Sequence, residues 1–112
     1  MSYVEDELPE VTPEEAVALV AAGTRLIDVR EQDEWDAGHA PEASLFPLSE
    51  LQSRVDELPE GERLLVVCHS GMRSMRATAW LRSEGYDAVN VIGGMVAWTH
   101  AGGALTANAA DS

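Results

Sequence analysis

The sequence predicts an α/β fold in which a mainly parallel sheet carries helices on both faces. Short apolar runs alternate with longer segments whose apolar residues recur at helical spacing. Glycine and proline residues stand between these segments, where the chain is expected to turn. Strands that are separated by helices pair in parallel, and such folds bind their ligands beyond the carboxyl ends of the strands.

Capping signals and apolar runs predict the elements of the first half. Thr12-Pro13-Glu14-Glu15 supplies an N-cap, a proline at the first helical position and a capping-box glutamate, so a helix is expected to about Ala22, ending at Gly23. The next predicted elements are a buried strand over 25–29, a short helix over 31–37 and a short strand over 44–46.

The second half continues the alternation. A helix is predicted over 48–58 with Leu48, Leu51 and Val55 on one face, and the turn at 59–62 leads to a strand over 64–67. A helix from about Arg73 to Ser83 should bury Ala77, Trp80 and Leu81 and end at Gly85. A strand over 88–92 and a short helix over 95–100 complete the pattern.

Length and composition predict one small domain. The chain has 112 residues, of which 46% are hydrophobic, enough for a single core. We expect an acidic flexible arm over 1–9, the domain over 10–103 and a flexible tail over 104–112. No apolar stretch approaches the roughly 18–20 residues that span a bilayer, and no leader pattern opens the chain, so a cytoplasmic location is expected.

The charge pattern excludes several classes of partner. Twenty acidic residues face seven arginines and no lysine, which gives a formal charge of −13. Nucleic acid and anionic membranes are improbable partners, because both are bound through clustered positive charge. Adaptation to high salt and an arginine-favouring codon usage explain the acidity equally well. His39, Cys68, His69 and His100 do not have metal-ligand spacing, so no metal site is expected.

Cys68, the only cysteine, ends the apolar run 64–67 and precedes a turn at Gly71 and a predicted helix. The reactive form of a cysteine is the thiolate, which is the minor form of a free thiol at neutral pH. Loop and helix N–H groups directed at the sulfur, the helix dipole and the charge of Arg73 would all stabilise that thiolate. The alternative is a buried core cysteine, which needs no Gly, Arg and Ser at these offsets.

The length of the loop separates two thiolate chemistries. Four residues lie between Cys68 and Arg73, one fewer than in the cysteine phosphatases, whose ring of amides encloses a phosphate. A smaller ring suits one added sulfur atom on the cysteine better than a phosphoryl group. The single cysteine also excludes an internal disulfide and a second, resolving thiol, so any sulfur that Cys68 carries must leave to an external acceptor.

Four ordered motifs resemble the rhodanese family of sulfurtransferases over about residues 10–103. They are Leu26-Ile27-Asp28-Val29-Arg30 with Glu34, Gly38-His39-Ala40-Pro41, the loop 68–74, and Gly93-Gly94-Met95-Val96-Ala97-Trp98. The resemblance implies a rhodanese-like fold with about five strands in a mainly parallel sheet. It also implies a first short strand near Glu10 and Val11, whereas the order of the strands does not follow from the sequence.

The resemblance further implies a reaction without a cofactor. Cys68 would take a sulfur atom from thiosulfate or a similar anionic donor as a persulfide and pass it to cyanide, a thiol or a protein acceptor. Asp28 is expected to orient the loop or to pair with Arg30 or Arg73, while Glu34 and His39 tie the short helix to the following turn. Arg73 would position the donor, and the expected binding residues are His69, Ser70, Gly71, Met72, Arg73 and Ser74.

Two departures from the family pattern leave alternatives open. Glu42 stands where the family has glycine, and His69, only partly charged at neutral pH, stands where thiosulfate-using relatives often have arginine. One alternative is a persulfide carrier or binding module that docks on a sulfur-trafficking partner. A phosphatase or arsenate reductase is disfavoured by the short loop and the lack of a second cysteine.

Overall fold

The computed structural model describes residues 8–107, and it confirms the five-stranded parallel sheet with helices on both faces. The strands are β1 (Glu10–Val11), β2 (Arg25–Asp28), β3 (Ser44–Leu45), β4 (Arg63–Val67) and β5 (Asp87–Val91). The helices are α1 (Pro13–Ala21), α2 (Gln32–Ala37), α3 (Leu48–Arg54), α4 (Met72–Ser83) and α5 (Gly94–His100). Most of the predicted acidic arm and the last five residues of the predicted tail lie outside the described residues.

The strand order β1-β5-β4-β2-β3 places β4 at the centre of the sheet. Alternate residues of β4 enter two separate cores, because successive side chains of a strand point to opposite faces. Leu64 and Val66 pack beneath α3 and α4, and Leu65 and Val67 pack beneath α1 and α5. In the register of β2 and β4, Asp28 lies beside Val67, so the loops that follow these two strands begin at the same level.

Most predicted elements are observed, and the largest difference concerns α3. The capping box at Thr12 is present, with Glu15 donating its N–H to Thr12 Oγ1 at 3.1 Å and its carboxylate accepting from the Thr12 N–H at 2.9 Å. The helix predicted to reach Leu58 ends at Arg54 and continues as a 3₁₀ turn over Val55–Glu57. Pro59 follows Leu58 and disfavours helical geometry in the residue before it.

The segment after α5 folds back onto the domain. His39 and Thr106 exchange two backbone hydrogen bonds of 2.8 Å, and the indole N–H of Trp98 donates to the Ala104 carbonyl at 3.0 Å. Residues 104–106 were expected in a flexible tail, and the structure instead gives this stretch fixed partners. Within residues 8–107, none of the helices combines the length and apolar character that crossing a membrane requires.

Candidate active site

The Cys68 sulfur lies at the carboxyl end of the central strand, surrounded by hydrogen-bond donors. The residue is only 1% exposed, and its Sγ accepts N–H groups from Gly71 at 3.1 Å and from Ser74 at 3.2 Å. Its thiol donates to Ser74 Oγ at 3.3 Å, and the Ser74 hydroxyl donates to the Gly71 carbonyl at 3.2 Å. When the thiol loses its proton, rotation of that hydroxyl gives the sulfur a third donor.

The local sequence explains this geometry. Gly71 precedes α4 with a φ of +112°, a conformation that favours glycine. Ser74 is the third residue of α4, and its N–H belongs to the first turn, where amides have no partner inside the helix. The positive end of the α4 dipole therefore faces Sγ, and negative charge on the sulfur is stabilised there.

The amino end of α5 holds the other side of the loop. Met95 donates its N–H to the Cys68 carbonyl at 2.7 Å, and Val96 donates to the His69 carbonyl at 3.1 Å. Gly94 lies so close that a Cβ on it would overlap the backbone of Cys68 and His69. The loop carbonyls are thus directed at α5, which leaves loop N–H groups for the sulfur.

Arg73 has a different partner from the one expected. Its guanidinium forms two hydrogen bonds with the Glu34 carboxylate, of 2.7 and 2.8 Å, whereas Asp28 was the side-chain partner considered from the sequence. The pair holds the pKa of Glu34 down at about 2, mainly through the side-chain hydrogen bond, and raises the pKa of Arg73. Glu34 also caps α2 by accepting the Glu31 N–H at 3.0 Å. Its match to the family motif was the one sign of this role in the sequence.

Asp28 and Arg30 form a second, buried ion pair. The Asp28 carboxylate accepts hydrogen bonds from the Arg30 Nε at 3.0 and 3.1 Å, from its Nη2 at 2.8 Å and from its backbone N–H at 3.0 Å. Arg30 Nη2 also donates to the Gly38 carbonyl at 2.7 Å. Of the expected partners of Asp28, Arg30 is therefore the one in contact, and the pair fixes the end of α2 against β2.

His39 lies where the motif predicted, at the turn after α2. Its Nδ1 is 2.8 Å from the Trp35 carbonyl, and the two rings stack with centroids 3.6 Å apart. The histidine is buried, so it supports the helix that carries Glu34.

The remaining predicted binding residues surround an open mouth. His69 and Ser70 are exposed, and Met72 is 70% exposed. A cleft of about 280 Å³ beside the loop is lined by Arg30, Glu34, Ala37, Gly38, His69, Met95, Val96, Thr99 and Leu105. His69 belongs to both the loop and this cleft, so the cleft opens beside the loop. Among residues 8–107, histidine, cysteine and acidic side chains form no group of three that suits a metal ion.

Replacing Glu34 with glutamine is expected to destabilise the protein by about 1–2 kcal/mol at neutral pH, because the ion pair is bidentate and only about one-third exposed. The native pKa of Glu34 lies below its ordinary value of 4.5, so the pair stabilises fully above pH 4.5 and is lost as the pH falls towards about 2. Urea unfolding of both proteins across this range measures the difference.

Asp33→Asn is the matched control, since it removes an exposed charge from the same turn of α2 and leaves the pair intact. It should change the stability by less than about 0.5 kcal/mol. A difference between wild type and Glu34→Gln that stays constant with pH would show that Glu34 contributes through packing and not through charge.

Comparison with known proteins shows which family the chain resembles. The family model described as the rhodanese-like domain matches residues 12–101. Thiosulfate sulfurtransferase 18 of Arabidopsis thaliana is 35% identical over 108 residues, which cover 83% of this chain and 79% of the relative. The putative sulfur carrier protein YrkF of Bacillus subtilis is 39% identical over 75 residues, which cover 66% of this chain, and the match spans only 40% of that relative.

Solved structures give the same result. A rhodanese-like domain protein from Staphylococcus aureus superimposes with a TM-score of 0.78 at 31% identity, covering 81% of this chain and 91% of that one. The reduced CoADR-RHD of Bacillus anthracis gives a TM-score of 0.79 at 33% identity, covering 84% of this chain and 17% of that much longer one. Since the family match spans most of its length and the fold agrees, the chain belongs to the rhodanese-like domain family.

Proposed function

We propose that the protein is a sulfurtransferase that moves a sulfane sulfur from thiosulfate, or a similar anionic donor, to a thiol or cyanide through a persulfide on Cys68. The observation that carries this proposal is the position of Sγ, which accepts two backbone N–H groups at 3.1 and 3.2 Å at the head of α4. Relatives named as sulfurtransferases support the reaction class, and one of them is a thiosulfate sulfurtransferase.

The reaction divides into two displacements at sulfur. The Cys68 thiolate attacks the outer sulfur of thiosulfate, the sulfur–sulfur bond of the donor breaks, and sulfite leaves with the electron pair. In the second displacement, the acceptor thiolate or cyanide attacks the outer sulfur of the persulfide and releases the Cys68 thiolate. The N–H groups of Gly71 and Ser74 stabilise the negative sulfur at each stage.

Arg73 has a supporting role in this mechanism. Its charge is paired with Glu34, so it anchors the start of α4 to α2. Arg73 is the second residue of α4, so its positive charge lies at the helix end that faces Sγ. The donor anion is then held by backbone amides, the α4 dipole and His69 at the mouth of the loop.

A persulfide carrier is the second candidate, because one relative is named a putative sulfur carrier protein and the chain spans only 40% of it. Such a carrier would form the same persulfide and deliver its sulfur to a protein. Slow turnover with cyanide and small thiols, beside rapid transfer to a protein acceptor, separates this candidate from the first.

Thiosulfate treatment followed by intact-mass measurement tests the proposal. We expect a gain of about 32 Da that cyanide removes as thiocyanate. Cys68→Ser is the matched control, since it keeps a hydrogen-bonding group of similar size and should gain no mass. The absence of both adduct and thiocyanate in the wild type, at low and high salt, would refute the thiosulfate reaction, and p-nitrophenyl phosphate would then test the phosphatase alternative.

A further inference from the structure

Helices α3 and α4 leave a groove of about 250 Å³ between them, outside the site described above. Its floor is apolar, because Leu51 and Ala77 are buried and Trp80 is half-buried. Its volume is below the roughly 300–1,000 Å³ of ordinary small-molecule pockets, so it suits one or two side chains of a peptide. The lining residues are Leu48, Leu51, Gln52, Arg76, Ala77 and Trp80.

Arg76 is the one arginine of the described residues without a carboxylate partner. The other six pair with acidic side chains, in the pairs Arg25–Glu62, Arg30–Asp28, Arg54–Glu50 and Arg54–Glu57, Arg63–Asp87, Arg73–Glu34 and Arg82–Asp87. On a chain with a formal charge of −13, this exposed cation without an ion-pair partner attracts a carboxylate at short range.

Two further donors line the same groove. The side-chain amide of Gln52 and the indole N–H of Trp80 make no side-chain hydrogen bond within the part of the chain that the structure describes. Together with Arg76 they offer N–H groups beside an apolar floor. The complementary group is a carboxylate next to an apolar side chain.

The groove lies close to the mouth of the catalytic loop. Met72, Arg76 and Trp80 follow one another at spacings of four residues on α4, so they share one face of the helix. One turn rises about 5.4 Å, which places Arg76 roughly one turn from the exposed Met72 at the loop. A peptide seated in the groove therefore brings its neighbouring residues to the loop.

We propose that the groove between α3 and α4 docks an acidic, apolar peptide segment of the protein that accepts sulfur from Cys68. A carboxylate of that segment binds Arg76, and an adjacent apolar side chain packs on Leu51 and Trp80. The identity of the occupant as acceptor rests on the proposed function, whereas the binding itself does not.

The binding is tested with two blocked peptides, Gly-Leu-Glu-Leu-Gly and Gly-Leu-Lys-Leu-Gly, by amide and indole NMR. We expect the glutamate peptide to shift the Trp80 indole and the Gln52 side chain, and to bind roughly threefold to tenfold more tightly than the lysine peptide. Arg76→Glu should reverse this preference. Arg82→Glu, a charge reversal on the same helix outside the groove, should preserve it. Equal binding of both peptides, or shifts confined to other surfaces, would overturn the proposal.

The role as acceptor site is tested with the thiols Cys-Gly-Leu-Glu-Leu and Cys-Gly-Leu-Lys-Leu. Each peptide thiolate attacks the outer sulfur of the Cys68 persulfide, leaves with that sulfur as a peptide persulfide and restores the Cys68 thiolate. We expect the glutamate peptide to react roughly threefold to tenfold faster, with the advantage reversed in Arg76→Glu.

The outcomes separate the two proposals. Equal rates for both thiols would overturn the acceptor role of the groove. If no persulfide forms on Cys68, the proposed function fails, and the NMR experiment still decides whether the groove binds the acidic peptide.

Discussion

Replacing Gly94 with alanine is expected to destabilise the protein by about 3 kcal/mol or more and to abolish persulfide formation. The added Cβ would overlap the backbone carbonyls of Cys68 and His69, and backbone cannot move aside as a flexible side chain can. Gly94 also has a φ of +62°, which costs any L-residue about 1–2 kcal/mol. Urea unfolding measures the stability, and intact mass after thiosulfate treatment measures the persulfide.

Gly85→Ala is the matched control for this change. Gly85 has a φ of +95°, and a Cβ there would meet nothing within 4 Å. Alanine at this position therefore strains the backbone, but its Cβ overlaps no neighbouring atom. Its expected cost is about 1–2 kcal/mol, with persulfide formation intact. Equal losses in the two variants would show that the close approach of Gly94 to the loop is dispensable.

Asp28→Asn is expected to lower the free energy of unfolding by about 3–5 kcal/mol, because it leaves the charge of Arg30 buried without its partner. Both side chains lie in the interior, with exposed fractions of 0% for Asp28 and 7% for Arg30. Since Arg30 also holds the Gly38 carbonyl at the end of α2, the substitution should displace the helix that carries Glu34 and slow sulfur transfer as well. Urea unfolding and the thiocyanate assay give the two measurements.

Two further variants test this explanation. Glu62→Gln breaks an exposed ion pair with Arg25 and should cost less than about 1 kcal/mol. The double variant Asp28→Asn with Arg30→Met removes the buried, unpaired charge of Arg30. It should therefore recover part of the stability lost in Asp28→Asn. A double variant less stable than the single one would mean that Arg30 contributes mainly through Gly38 and its packing.

The elements of the fold were largely predictable from the sequence because their signals are local. The capping box at Thr12, the apolar run that forms β4 and the glycine at 71 each act within a few residues, and the structure confirms all three. The helix predicted through Leu58 was too long, because the apolar pattern continued past Arg54 into a 3₁₀ turn over Val55–Glu57. Pro59 accounts for the extended conformation of Leu58, the residue before it. The order of the strands depends on which of them pair in space, so it cannot be predicted from the spacing of apolar residues along the chain.

The candidate site was predictable in its centre and less so in its surroundings. The cysteine, the glycine and the start of α4 lie within seven residues, and their joint geometry follows from that short segment. The partner of Arg73 lies 39 residues away, and no local pattern distinguishes an arginine that binds a substrate from one that binds Glu34. The bridge between His39 and Thr106 was missed for the same reason, because it joins segments far apart in the chain.

The contacts between α5 and the loop have a consequence for shortened forms of the domain. The thiol is at position 68, yet the amides that orient its loop belong to Met95 and Val96, near the end of the domain. A nascent chain that has exposed Cys68 but not these residues lacks the contacts that turn the loop carbonyls away from the sulfur. Chains cut short before Gly93 therefore keep Cys68, Gly71 and Ser74 but lose the two N–H donors that bind the Cys68 and His69 carbonyls.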